Sequence, residues 1–186
     1  KTKQYLQMCA DLGGTGLRVF PNSFHKEVSQ EKTIEQIIVA LRRLTQTADD
    51  LGQTLCLEAH GSVGRLPFMR QIAQGVNHKR LRVMLNSDWR DTEGEGQKAN
   101  LALVADYLAD RHHIHELDEK KFVDSRYYET QTEFLMKQGF AWTCLLEIKD
   151  EPTARMQRLW AMRRCWENIW ENIPVAAPQA VQQAKS

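Results

Sequence analysis

Two glutamates, an asparagine and a histidine stand at regular intervals along this sequence. Glu58 closes the run TLCLE, Asn86 follows RVML, His115 closes HHIH and Glu147 closes TCLLE, so that 28, 29 and 32 residues separate successive members. Each lies where an apolar, strand-like run gives way to polar chain. Carboxylate and amide oxygens together with an imidazole make a donor set for a hard or borderline divalent cation such as Mn2+, Mg2+, Co2+ or Zn2+. One Glu after a strand is an ordinary loop residue, but four ligand types at corresponding strand ends read as one composite site. His113, two residues before His115, falls on the same side of its strand and is a candidate for backing a ligand or meeting a substrate. His60, two residues after Glu58, is read in the same way or as a loop or capping histidine.

The elements that must position these residues follow from periodicity. Apolar runs begin near Leu17, Thr54, Arg82, His112 and Thr143, at intervals of 37, 28, 30 and 31 residues. Amphipathic segments separate them, the alternation expected of βαβ units and a parallel sheet. A (β/α)8 barrel of about 250 residues repeats at about 31, so a TIM barrel is expected. Helices are predicted over 31–51, 67–77, 95–109, 126–138 and 152–172. The first carries Ile34, Ile37, Ile38, Leu41 and Leu44 at three-and-four spacing with Gly52 at its C-cap, and the last carries Leu159, Met162, Trp166, Ile169 and Trp170. Five units make about five eighths of such a barrel, so residues 1–173 read as strands four to eight, with 174–186 a disordered tail. Open edges are costly, and either about 90 further residues upstream or a partner, including a second copy in a homo-oligomer, would close them. The start at Lys1, without Met and directly in helical sequence, reads as a fragment or a processed form.

Composition narrows the function classes. The 186 residues are 42% hydrophobic and 26% charged with a net charge of +1, as in an ordinary globular domain. The near-balance of charge argues against nucleic acid as a partner, since phosphate neutralisation needs a basic surplus. No apolar run approaches the length of a membrane span and no signal pattern opens the chain, so the expectation is a cytoplasmic protein with no membrane partner. Cys9, Cys56, Cys144 and Cys165 form no C-x-x-C pair, which excludes a zinc ribbon or redox dithiol.

The series LCLEAHGS, VMLNSDWRDT, HHIHELD and GFAWTCLLEI resembles the second half of a sugar phosphate isomerase/epimerase of the xylose isomerase-like barrel superfamily. The resemblance covers residues from about 5 to 172. It implies a metal-dependent enzyme acting on a small carbohydrate, a sugar, sugar phosphate or related hydroxy-carbonyl compound, by proton transfer through an enediolate. Carried over by motif, Glu58, His115 and Glu147 are metal ligands, with Glu58 and Glu147 also the acid/base pair. The position of the family's ligand Asp falls on Asn86, and Trp89 stands where a ketose epimerase has a substrate-contacting His. Asp88, of the same strand parity as Asn86, either restores the missing charge or caps the turn in NSDWRD. Arg18 and Arg65 are read as partners of a phosphate or carboxylate, or as surface arginines. The superfamily also contains endonuclease IV, but the strand ends hold too few ligands for its three zinc ions. The alternative is a non-catalytic barrel used for binding or assembly.

Overall fold

The computed structural model describes residues 1–124, 126–139, 141–148 and 152–173. The predicted tail 174–186 lies outside the described residues. In chain order the elements are α1 (Thr2–Asp11), β1 (Gly16–Val19), α2 (Gln30–Asp50), β2 (Thr54–Glu58), α3 (Leu66–Val76), β3 (Leu81–Met84), α4 (Gln97–Val104), β4 (Arg111–His115), α5 (Lys120–Asp124), α6 (Tyr127–Lys137), β5 (Thr143–Glu147) and α7 (Pro152–Asn172). Short 3-10 turns at Trp89–Thr92 and Ala105–Tyr107 interrupt the segments after β3 and after α4. The segment expected as one helix over 95–109 is therefore a helix and a separate turn, while the strand positions agree with the periodicity.

Local chemistry accounts for the helix ends. Ser29 caps α2, its Oγ accepting from the Lys32 amide at 3.2 Å, which satisfies one of the free N–H groups of the first turn. After Leu51 the chain leaves α2 through Gly52 at φ 66°, a conformation that glycine adopts without steric cost. Pro67 stands in the first turn of α3, and Asn77 ends that helix in the left-handed region.

The strands are all parallel, β1-β2-β3 forming one sheet and β4-β5 another. The two sheets adjoin. Ala109 N–H donates to the Val83 carbonyl at 2.8 Å and His113 N–H to the Leu85 carbonyl at 3.0 Å. Between those two bonds the Leu85 amide turns to the side chain of His112, donating to its Nδ1 at 3.1 Å. A side chain thus occupies a ladder position that a backbone carbonyl would normally fill, and the sheet is split there. His112 is fully buried, and burial pushes its pKa down to about 4. The neutral ring accepts at Nδ1 and carries its proton on Nε2.

Alternation along the strands separates two faces. Leu55, Leu57, Leu81, Val83 and Leu85 point outward and are buried against Ile34, Leu41, Met69, Ile72, Leu101 and Leu135 of the covering helices. Each such side chain taken fully from water contributes roughly 1.5 to 3 kcal/mol. A second cluster joins Ile114 to Phe122, Tyr127, Tyr128 and Met162, with Cys144 and Trp166 at its margin. On the opposite face, among the described residues, Cys56, Met84 and Ala109 form a small buried cluster. Towards the two edges of the arc this face is open, with Phe20 45% and Leu145 41% exposed. Trp170, one of the spaced apolar residues of the last helix, is also exposed and packs edge-on against Trp142 at 5.7 Å. Among the described residues no helix is long and apolar enough to cross a membrane.

Candidate metal centre

The C-terminal strand ends bring four side chains together on the face away from the covering helices. Glu58 ends β2, His113 and His115 share a face of β4, and Glu147 ends β5, directly across from His115 in the strand register. Each offers one ligand atom, and the four atoms lie within 4.8 Å of one another. His113 Nδ1 stands 2.7 Å from Glu58 Oε1 and 3.2 Å from Glu147 Oε2, and His115 Nε2 stands 3.6 Å from the same Glu147 oxygen. Donor atoms about 2.1 Å from a shared tetrahedral centre are about 3.4 Å apart. The two longer separations match that value, and the Glu58–His113 hydrogen bond would have to open for both groups to meet one ion.

The electrostatics suit a cation. Glu58 is 1% exposed, and Arg18 Nε lies 2.7 Å from its Oε2. Burial, the strongest single influence, pushes the Glu58 carboxyl up, but the His113 hydrogen bond and the charges of Arg18, His113 and His60 together hold it below its ordinary value. It is a carboxylate. Burial depresses His115, opposed in part by Glu147, so its imidazole is neutral and has a lone pair to give. Glu58 Oε2 has a charge partner in Arg18 but no aligned hydrogen-bond donor, and the buried Oδ1 of Asn86 has no hydrogen-bond partner. Buried polar atoms are seldom left unsatisfied, so the Asn86 oxygen has room for a partner, and the two imidazoles and two carboxylates of the cluster fit a borderline divalent ion.

Of the residues singled out in the sequence, Glu58, His115 and Glu147 meet in this cluster. Asn86 lies beside it, 8% exposed, and with His60, Ser87, His115 and Glu147 lines a cavity of 230 Å³. The fourth place belongs to His113. Asp88 is turned away: its carboxylate accepts from the Arg90 backbone at 2.9 Å, capping the turn at Trp89–Thr92, and forms an ion pair with the Arg90 guanidinium. Arg90 in turn donates to the Gly61 carbonyl at 3.1 Å. Trp89 stands outside the cavity, 42% exposed and edge-on to Phe122 at 6.2 Å. Arg65 pairs with Glu93 at 2.7 Å on the exposed surface. His60 sits at the rim against Phe20, ring centroids 5.3 Å apart.

Arg18, read from the sequence as a partner of a phosphate or carboxylate, meets a carboxylate of this chain, that of Glu58. One participant had no sequence signal of its own. Tyr128, from the start of α6, hydrogen-bonds Ser87 and the His115 carbonyl. Just beyond, Glu116 holds φ 51°, a left-handed conformation that costs a residue with a Cβ about 1 to 2 kcal/mol. A larger cavity, 660 Å³ and lined by Thr54, Arg82, Asp106, Asp110 and Arg111, lies at the opposite end of the strands. In barrels the chemistry gathers at the C-terminal ends.

Over residues 1–158 the sequence matches the family described as the xylose isomerase-like TIM barrel. The chain belongs to the xylose isomerase-like TIM barrel family. Its five strands are an arc of that barrel. Among solved structures it is similar to the apo form of 3-keto-D-glucoside 4-epimerase, YcjR, from E. coli, at 17% identity and TM-score 0.66, covering 88% of this chain and 69% of that one. The IOLI protein with a bound zinc atom gives 14% and 0.71, covering 92% and 68%. D-psicose 3-epimerase with D-tagatose, from Clostridium cellulolyticum H10, gives 15% and 0.66, covering 91% and 66%. The chain thus spans about two thirds of the length of these barrels, and at such identities the likeness establishes the fold. No curated protein matches the sequence significantly.

Proposed function

We propose that this site is a divalent-metal centre at which a sugar, sugar phosphate or related hydroxy-carbonyl compound is isomerised or epimerised. The observation that carries the reading is the convergence of Glu58, His113, His115 and Glu147 to within 4.8 Å at the C-terminal ends of three strands. Similar structures lend support, since they include sugar 3- and 4-epimerases and, in one case, a protein with a bound zinc atom. A cation held there would act as a Lewis acid towards a substrate carbonyl. With two imidazoles among its donors, the set favours Zn2+, Co2+ or Mn2+ over Mg2+, which prefers oxygen.

The remaining work falls to the chain. Glu147, half-exposed on β5, lines the cavity, and Glu58, buried on β2 and fixed by Arg18 and His113, stands behind it in the same cluster. On this reading one carboxylate takes the proton from the carbon beside the carbonyl and the other returns one. Asn86, which lines the cavity and whose buried amide oxygen has no hydrogen-bond partner, is the group that would accept a hydrogen bond from a substrate hydroxyl.

The test is elemental analysis of protein loaded with Mn2+, Co2+ or Zn2+ and then desalted, with about one ion per chain expected for one four-ligand site and thermal unfolding shifted upward by the bound ion. Absence of any retained ion would remove the mechanism. It would favour the second reading, a barrel kept for binding or assembly, to which the neutral Asn86 already points. Asn86→Asp tests the division of labour. The added carboxylate is expected to tighten metal binding about tenfold, measured by competition with a chromophoric chelator, while raising KM because the variant carboxylate is drawn to the metal.

A further inference from the structure

The exit of β4 is held in an unusual way. His115 N–H donates to Ser87 Oγ at 3.0 Å, and the Tyr128 hydroxyl reaches both Ser87 Oγ and the His115 carbonyl. Proton counting fixes the directions. A carbonyl can only accept, so the single Tyr128 proton goes to His115. The Ser87 proton goes to Tyr128 Oη, which leaves a Ser87 lone pair for the His115 amide. Both polar groups of the His115 backbone are thereby engaged by side chains in one closed ring, built from the β3 exit, β4 and the start of α6.

Its location gives the ring a purpose. His115 is the last residue of β4, and Glu116 already turns into the left-handed region. Without the ring, the ligand histidine would sit at a fraying strand end, next to an energetically unfavourable turn. The ring is also largely dry, since Tyr128 is 1% exposed and packs against Phe122 and Tyr127.

We infer that Ser87 and Tyr128 are positioning residues that clamp the His115 backbone and so set the direction of its imidazole in the metal centre. The inference rests on the metal reading above. Neighbouring Tyr127 provides an internal control, because its hydroxyl donates to Asp91 Oδ2 at 2.8 Å and serves the turn at Trp89–Thr92 instead of His115. Two adjacent tyrosines from one helix thus divide two tasks, one structural and one aimed at the ligand.

The experiment compares Tyr128→Phe, Ser87→Ala, Ser87→Thr and Tyr127→Phe by Co2+ titration, reading both affinity and the visible d–d spectrum. Tyr128→Phe and Ser87→Ala are expected to weaken Co2+ binding by about 10- to 100-fold, as loss of groups that orient a ligand does, and to change the spectrum. Ser87→Thr, which keeps the hydroxyl, is expected to restore both. Tyr127→Phe is expected to lower the unfolding temperature with affinity and spectrum unchanged. Wild-type affinity and spectrum in Tyr128→Phe and Ser87→Ala overturn the clamp and leave the metal centre standing. A wild-type protein that takes up no Co2+ overturns the metal centre and the clamp with it.

Discussion

Glu58→Gln is expected to lower turnover of a hydroxy-carbonyl substrate by about 10³-fold, in the range seen when a positioned acid/base group is removed, and to strip most of the bound metal. The substitution keeps the shape of the side chain and removes its charge. At 1% exposure no water can take the place of what is lost. The two Glu58 oxygens face two donors, His113 Nδ1 at 2.7 Å and Arg18 Nε at 2.7 Å. A glutamine can keep both contacts only by donating its NH2 to His113 Nδ1, which forces that ring into its other tautomer, and the charge facing Arg18 is lost in any case. Glu147→Gln is a softer lesion, because Glu147 is half-exposed and its amide can rotate to solvent. The check is a sugar isomerisation assay run beside metal analysis for both variants. A Glu58→Gln protein with undiminished metal content and activity would move the chemistry elsewhere on the arc.

Asp91→Asn is expected to stabilise the protein at alkaline pH. Asp91 is 5% exposed, and burial raises its pKa from 3.8 to about 7, with Asp88 adding to the rise and the Tyr127 hydrogen bond, Arg90 and Arg65 opposing it. Between these values the folded protein keeps a proton that the unfolded chain has released. Stability contributed by this group therefore falls as pH climbs from about 4 and the loss is complete above about 7, a total of about 4 kcal/mol at about 1.4 kcal/mol per unit. Asparagine leaves an oxygen for the Tyr127 hydroxyl and carries no charge. The variant should gain about 10 °C in unfolding temperature at pH 8 and little at pH 4. Urea or thermal melts at the two pH values give the answer, and parallel pH dependence in both proteins would show that Asp91 is ionised at no cost.

Much of the fold could be read directly from the chain, because a buried strand and an amphipathic helix each impose a period on the sequence. All five strands and the helices α2, α3, α6 and α7 fall on the predicted stretches. The α4 region was less regular, since a 3-10 turn has no period long enough to notice. At the site, Glu58, His115 and Glu147 were marked because polar residues at strand exits break the apolar pattern. That His113 would join the cluster with Asn86 beside it was not legible. Both lie at alternating positions on the same face of their strands, and only the distance to Glu58 and Glu147 places His113 within the cluster. Asp88 shows a competing rule winning, as a short carboxylate two residues before an amide caps the local turn. Tyr128 and Ser87 meet only after α6 has packed against the β3 and β4 ends, 41 residues apart in sequence, and no local pattern records that.

The His112 side chain in the sheet ladder has a consequence for the site as a whole. Glu58 belongs to the three-stranded sheet, and His113, His115 and Glu147 belong to the two-stranded one. The four donors are therefore the two jaws of a clasp whose seam is the interrupted β3–β4 pairing. Any ion held by all four is also a rivet between half-sheets that the backbone joins sparingly, and its arrival and departure are mechanical as well as chemical events.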